Sequence, residues 1–448
     1  MENYALVLGG GGAKGAYEIG VWQALRELNI PINIVCGTSV GALNGAMIAQ
    51  GDFELAKDLW TSISFESVVK VERELASVEE DRISLLDRMA LVREAVSSGG
   101  LDTSPLKQLL NDIIDEKKIR ESSIDFGLVT FSLTDFKPVK IFKKDIPEGK
   151  MVDYLLASAC FPAFKPLEID SKKYIDGGVY DNIPISLAID RGAKKIIAVD
   201  VSGPGITRSS GKKSSDILYI KNKDILGGVL EFDSEKSKAN MNSGYLDTLK
   251  TFGMLKGCKY YIKDENKEKI KYEFINKLKL EDLKKIYSFL GIDFNSKTLT
   301  SNRLILDVII RTIQQYTDGK IEVGSIYAAM AEITAEQLDI DKKMVYSMDD
   351  LIDEILKKYD DIKNSDDFKQ YVGNIKKLIM SKNQLEFDRE IKKSLIEGKF
   401  LISYNTDFKD MDEKIRRFRR FVAIAFPKIS IANMFITLLI DNINKCGN

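Results

Sequence analysis

Leu8 runs into Gly9-Gly10-Gly11-Gly12-Ala13-Lys14-Gly15, and no other stretch restricts the architecture of this chain so strongly. An apolar segment, Ala5–Leu8, leads into the glycines, and a helical pattern carrying Tyr17, Trp22, Leu25 and Leu28 follows them. Residues without a Cβ let a buried strand turn directly into a helix. They also expose successive N–H groups where the helix N-terminus adds positive potential, an arrangement that suits an anion. The same succession then repeats. Ile32–Cys36 reads as a second strand, Gly37-Thr38-Ser39-Val40-Gly41 as a tight turn and Val40–Gln50 as a helix. Two such units at the start of the chain predict an α/β domain.

Further strands are expected at Leu128–Ser132, Val139–Phe142 and Lys195–Val201, with helices at Ala16–Leu28 and Pro105–Ile114. Thr207–Ser215 reads as a surface loop. Turn residues then thin out: of 31 glycines only six, and of nine prolines only Pro427, lie beyond Ile262. The remainder is rich in Lys, Glu, Asp, Ile and Leu and mainly helical in pattern, as in Glu281–Leu290 and Leu351–Tyr359. A chain of 448 residues is long enough for two domains, placed at 1–262 and 263–448.

Gly10-x-Gly12-x-x-Gly15 satisfies the dinucleotide fingerprint, but that motif wants an acidic residue after the second strand. Here the second strand ends in Gly37-Thr38-Ser39 instead, and Gly15 is followed by Ala16 where a phosphate-binding Walker loop needs lysine. Gly37-Thr38-Ser39-Val40-Gly41 is a GxSxG sequence between a strand and a helix, the setting of a nucleophile elbow. The Val40 N–H at the helix start can face a developing oxyanion, and the Gly10, Gly11 and Gly12 amides can supply the rest of that hole. A serine that merely caps the helix is the plainer reading of Ser39.

The chain contains no histidine. That excludes a Ser-His-Asp triad, a Cys-His pair and imidazole-ligated zinc or haem. A serine nucleophile here needs a lysine or a carboxylate as base. Ala42 stands where a Ser-x-x-Lys pattern would place the lysine. An aspartate in a glycine-tight turn occurs in Tyr174-Ile175-Asp176-Gly177-Gly178, although an ordinary surface turn explains this tripeptide equally well. The balance of 66 basic and 67 acidic residues gives no case for a nucleic-acid partner. Asp349-Asp350 lacks the spacing of a calcium loop, so no metal and no cofactor is expected. The four cysteines are far apart and the first residues lack a signal-peptide pattern, which together predict reduced thiols and a cytoplasmic chain.

Taken together, Gly10–Gly15, Gly37–Gly41 and Asp176–Gly178 resemble, in order, the three motifs of the patatin-like phospholipase family. Ala157–Pro166 resembles the segment before that family's catalytic aspartate, and Gly244-Tyr245-Leu246-Asp247 its closing helix, so the likeness covers roughly residues 4–260. One departure is Gly9, where plant members have an aspartate. The resemblance implies a three-layer sandwich around a mostly parallel sheet, followed here by a mainly α-helical C-terminal domain. It further implies a Ser39–Asp176 dyad, an oxyanion hole from Gly10, Gly11 and Gly12, and a supporting role for Lys14 beside Gly37, Gly41, Gly177 and Gly178. The implied reaction is hydrolysis of a membrane phospholipid or related lipid ester through an acyl-enzyme. A free aspartate, with a pKa of about 3.9, is too acidic to be an efficient base, and burial would have to raise it. The expected pH–rate profile has no imidazole inflection.

Several alternatives stay open at this level. The motifs also suit a lysophospholipase, a neutral-lipid esterase or a thioesterase. A chain silent until a ligand or partner engages its helical half is a further alternative, implied by resemblance to bacterial patatin-like effectors. Within that half, Arg416-Arg417-Phe418-Arg419-Arg420 precedes the apolar Phe421–Ile440, a pairing that suits peripheral contact with an anionic membrane. Pro427-Lys428 interrupts the segment, and a buried terminal helix is the preferred reading over membrane contact, with full spanning less favoured still.

Overall fold

Ala5, Leu6, Val7 and Leu8 are buried in succession, as only a strand covered on both faces allows. The structure, a computed structural model, describes residues 3–70, 99–208, 216–222, 225–263, 280–292, 299–317, 322–380 and 413–446. Its two compact units are Met1–Gly253 and Met254–Asn448.

The first unit begins β1 (Tyr4–Leu8), α1 (Ala16–Glu27), β2 (Ile32–Thr38), α2 (Val40–Gln50) and α3 (Phe53–Ser62). It continues with α4 (Ser104–Ile113), α5 (Glu116–Glu121), β3 (Asp125–Ser132), β4 (Lys137–Phe142) and α6 (Met151–Ser158). Then come β5 (Leu167–Ile169), β6 (Lys172–Asp176), α7 (Ile185–Asp190), β7 (Lys195–Asp200), β8 (Asp216–Lys221) and α8 (Ser234–Thr251). Every strand and helix expected in this part is present with ends moved by a few residues at most. Half-exposed β5 and β8 were not anticipated: β5 is only three residues long, and β8, although it carries Ile217–Ile220, is exposed or half-buried at all but one position. Residues 209–215 of the expected surface loop lie outside the described residues.

The sheet order is β5-β6-β3-β2-β1-β7-β8, with β4 on β3; β3, β2, β1, β7 and β8 are mutually parallel. Leu6, Leu8, Val35, Leu128 and Val199 point to one face and pack with Tyr17 and Trp22 of α1, Met47 of α2 and Trp60 of α3. Val7, Cys36, Val129 and Ala198 point to the other, against Ile185, Leu187 and Ala188 of α7. The unit is therefore the expected three-layer α/β sandwich.

One pairing pattern positions everything that follows. Antiparallel β4 takes one edge of β3 from Gly127 to Ser132. The other edge is shared: β2 pairs with it up to Val129, and β6 takes over from Thr130. Since β2 runs parallel to β3 and β6 antiparallel, their C-terminal ends meet head to head. Thr38 stands opposite Val129, and Asp176 opposite Thr130.

In the second unit β9 (Leu255–Lys256), β10 (Tyr261–Lys263) and β11 (Val345–Tyr346) form a small sheet. The helices are α9 (Leu280–Phe289), α10 (Leu299–Gln314), α11 (Val323–Gln337), α12 (Met348–Asn364), α13 (Asp366–Met380), α14 (Glu413–Ala425) and α15 (Pro427–Cys446). Tyr327, Ile355, Ile431, Phe435 and Leu439 meet in its core. The basic run lies on α14, where Arg419 is buried and donates through Nη1 to Ser288 O at 3.0 Å and Ser288 Oγ at 3.1 Å. Arg420 Nε donates to Gly291 O at 2.8 Å. The chain bends by 116° between α14 and α15. Among the described residues no single helix is long and apolar enough to cross a membrane, although this bent pair passes by length and composition.

Candidate active site

Ser39 sits between β2 and α2 with φ 56° and ψ −130°, a conformation costly for a residue bearing a side chain. The strain is held in place by packing around it. A Cβ on Gly37 would lie 2.1 Å from Gly41 O, so the two arms of the elbow approach as only glycine permits. Ser158, at the end of α6, accepts the Ser39 N–H at 3.0 Å and donates its own hydroxyl to Val129 O at 2.7 Å. Its Oγ thereby pins the elbow to β3.

Asp176 ends β6 and is only 5% exposed. Its N–H donates to Cys160 O at 2.8 Å, and its Oδ1 accepts the Gly178 N–H at 2.7 Å. Ser39 stands near enough to favour its charged form. Burial pushes the carboxyl up to about 6, against the opposing pull of Ser39 and Gly178. The turn after it reaches both other motifs. Thr38 Oγ1 donates to Asp181 O at 2.9 Å, and Asn182 Nδ2 donates to Gly10 O at 3.1 Å. Gly177 and Gly178 form the short 3₁₀ turn that carries the chain from Asp176 to those contacts.

Gly9 and Gly10 are fixed by the sheet end: their N–H groups donate to Val199 O at 3.2 Å and Asn182 O at 3.0 Å. The expectation that Gly10 contributes an oxyanion-hole amide needs correction, because its N–H already has an acceptor. The Gly11, Gly12 and Val40 N–H groups have none among the described residues. Gly12 has φ +58°, and a Cβ there would lie 2.2 Å from Val229 O. Lys14 Nζ donates to Ser202 O at 2.8 Å; partial burial lowers its pKa, with Asp200 pulling the other way. Lysine thus ties the loop to the chain beyond β7.

Beside these groups opens a cavity of about 200 Å³. Ser39, Gly11 and Asp176 stand in its wall, and Met47, Trp60, Leu110, Ile113, Phe161 and Phe232 make the rest of it mainly apolar. This is the shape and polarity of a hydrocarbon-chain site with one polar end. Sequence reasoning singled out Ser39, Asp176 and the glycine loop but neither Ser158 nor Asn182. Ser158 lies within Ala157–Pro166, but nothing local marks its hydroxyl; both residues act through partners far away in the chain. The aromatic wall is equally silent in the sequence, since Trp60 and Phe161 belong to different elements that only the fold brings together.

Residues 6–189 match the family model described as patatin-like phospholipase. Over 204 residues the chain is 28% identical to patatin-like phospholipase domain-containing protein 7 of Rattus norvegicus, an alignment covering 44% of this chain and 13% of that protein. Over 198 residues it is also 28% identical to lysophospholipase NTE1 of Saccharomyces cerevisiae, covering 44% of this chain and 10% of that one. The chain thus spans a small part of the length of these relatives. Among solved structures it is similar to VipD from Legionella pneumophila, with 16% identity, a TM-score of 0.38, and coverage of 98% of this chain and 92% of that one.

Proposed function

We propose that this chain, whose residues 6–189 match the patatin-like phospholipase family model, is a serine acyl hydrolase cleaving phospholipids or related lipid esters through Ser39 and Asp176. The observation that carries this reading is the Ser39 hydroxyl against a buried carboxyl held near 6, at the polar end of an apolar cavity. In a chain without histidine, that carboxylate is the base in contact with the nucleophile.

The acyl chain of the substrate lies in the cavity and its ester carbonyl beside Ser39. Asp176 accepts the hydroxyl proton as the Ser39 Oγ–C bond forms, and the oxygen that becomes negative is received by the Gly11, Gly12 and Val40 N–H groups. Collapse breaks the bond to the leaving alkoxide, which takes the proton from Asp176. A water molecule then gives its proton to Asp176 and attacks the acyl-Ser39 ester. Return of that proton to Ser39 releases the fatty acid and restores the site. The raised pKa serves both halves, since the group must accept a proton and give it back near neutrality. Every residue in this scheme belongs to Met1–Gly253.

The test is fatty-acid release from mixed phospholipid vesicles by the full chain with Ser39→Ala beside it. Release that disappears in the variant is the expected result. Equal release from both proteins removes Ser39 from the mechanism, and no release by the unaltered chain refutes the phospholipase reading.

A further inference from the structure

Behind the glycine loop, and reaching the cavity wall through Asn44 and Trp60, lies a polar cluster that the reaction scheme does not use. Glu18, in the first turn of α1, is completely buried. Asn44 of α2 donates from Nδ2 to Glu18 Oε2 at 2.7 Å and to Gly15 O at 3.0 Å. Asn44 Oδ1 in turn accepts the Trp60 Nε1–H at 2.9 Å. Glu18 Oε1 has no hydrogen-bond partner among the described residues.

A carboxyl in such a place is costly, and an apolar residue of similar size would fill the space at less expense. What the carboxyl supplies is connection. Gly9 and Gly15 bracket the loop whose Gly11 and Gly12 amides are free. Asn44 belongs to the helix that starts at the Ser39 elbow, and Trp60 lines the cavity. A hydrogen-bonded cluster therefore spans the two elements whose spacing sets the distance from nucleophile to oxyanion hole. A misplacement of an ångström in such geometry is expensive in rate.

We propose that Glu18 is a positioning residue for acyl transfer, which with Asn44 fixes the spacing between the glycine loop and the Ser39 helix, and with Trp60 links that spacing to the cavity wall. The proposal rests on the hydrolase reading above. Burial also pushes the Glu18 carboxyl up to about 8, with Asn44 and Gly9 opposing, so it keeps its proton at neutral pH. No neighbouring charge offsets its ionisation. Helix α2 carries no charged residue. On α3, Glu54, Lys57 and Asp58 are exposed. On α8, Glu235, Lys236 and Lys238 are exposed, Lys250 is half-buried, and Asp247 is bonded to Tyr17 at 2.7 Å. Lys14 of the loop is held by Ser202 O. Ionisation above that pH leaves an unpaired charge between the loop and the helix, and the spacing gives way.

The experiment compares the full chain with Glu18→Gln, Glu18→Leu and Ser39→Ala, using p-nitrophenyl butyrate as probe and recording kcat and KM from about pH 6 to about pH 9. Glu18→Gln keeps the acceptor for Asn44, so its kcat should stay within about threefold at neutral pH and lose the decline that the unaltered chain shows above about pH 8. Glu18→Leu should lose kcat by about tenfold or more with KM changed less than about twofold. An unchanged kcat in Glu18→Leu, a loss confined to KM, or superimposable pH profiles for Glu18→Gln and the unaltered chain each overturn the proposal. Should Glu18→Leu fail to fold, the pH comparison decides alone. A chain no faster than Ser39→Ala refutes the hydrolase reading itself, and the positioning role falls with it.

Discussion

Replacing Asp176 by Asn should abolish hydrolysis and at the same time stabilise the first unit at neutral pH. The carboxyl is raised from 3.8 to about 6 in the folded chain, chiefly by burial. A carboxylic acid whose folded pKa exceeds its unfolded value binds its proton more tightly when folded. Its stabilising contribution is complete below the unfolded pKa and is lost as pH rises through the folded one. Between those two values the loss amounts to about 1.4 kcal/mol per unit, or about 3 kcal/mol in all by pH 7. Asparagine carries no charge to desolvate, and its side-chain oxygen can still accept the Gly178 N–H that Asp176 accepts at 2.7 Å. The variant should therefore gain up to about 3 kcal/mol at pH 7 and almost nothing at about pH 4. Both tryptophans of the chain, Trp22 and Trp60, lie in Met1–Gly253, so their fluorescence during urea unfolding reports this unit alone. A variant no more stable than the unaltered chain at pH 7, or equally favoured at both pH values, refutes the burial argument. The companion activity profile should rise about tenfold per pH unit below pH 6 and flatten above it. This revises the expectation of a profile without an inflection in that region: burial moves an aspartate to where imidazole usually titrates.

Gly12→Ala places a Cβ 2.2 Å from Val229 O at φ +58°, so vesicle hydrolysis should fall by about a hundredfold or more, with a lower urea midpoint by tryptophan fluorescence. Ser158→Ala removes the acceptor of the Ser39 N–H at 3.0 Å and should cut kcat about tenfold with little change in KM, measured on a soluble ester. Lys14→Met loses the bond to Ser202 O at 2.8 Å; because the lysine holds the loop from outside, kcat should drop by less than about fivefold on the same ester.

Where the sequence was legible, one local stretch held the whole signal. Ala5–Leu8 with its glycines, and Ile32–Cys36 with Gly37–Gly41, each carry strand, turn and helix in one window. What stayed hidden depends on pairing. β5, three residues long, and the half-exposed β8 owe their place to pairing with β6 and β7. Gly10 looked like a donor because its N–H is adjacent to those of Gly11 and Gly12; that it is spent on Asn182 O depends on a residue far along the chain. The Arg416–Arg420 run shows the same limit from the other side. Its composition suggested a membrane surface, whereas Arg419 and Arg420 are engaged by Ser288 and Gly291 within their own unit.

On the proposed hydrolase reading, the architecture also accounts for a serine that does without an imidazole between it and the acid. A triad separates nucleophile from carboxylate by the width of a ring, so the acid can arise almost anywhere nearby. A dyad requires direct contact, and hence two backbones brought to the same point. The shared edge of β3 does this, with β2 ending opposite Val129 and β6 ending opposite Thr130 from the opposite direction. Both functional side chains emerge where their strands stop, and the backbone there has to turn away at once. On one side the strained Ser39 elbow accomplishes the turn; on the other the Gly177–Val179 turn does so. The same head-to-head meeting excludes water from Asp176, and burial is what lifts its pKa toward neutrality. Contact and basicity thus have one structural cause. A change that opens the junction of β2 and β6 should weaken both together, leaving a carboxylate that is farther from Ser39 and also more acidic.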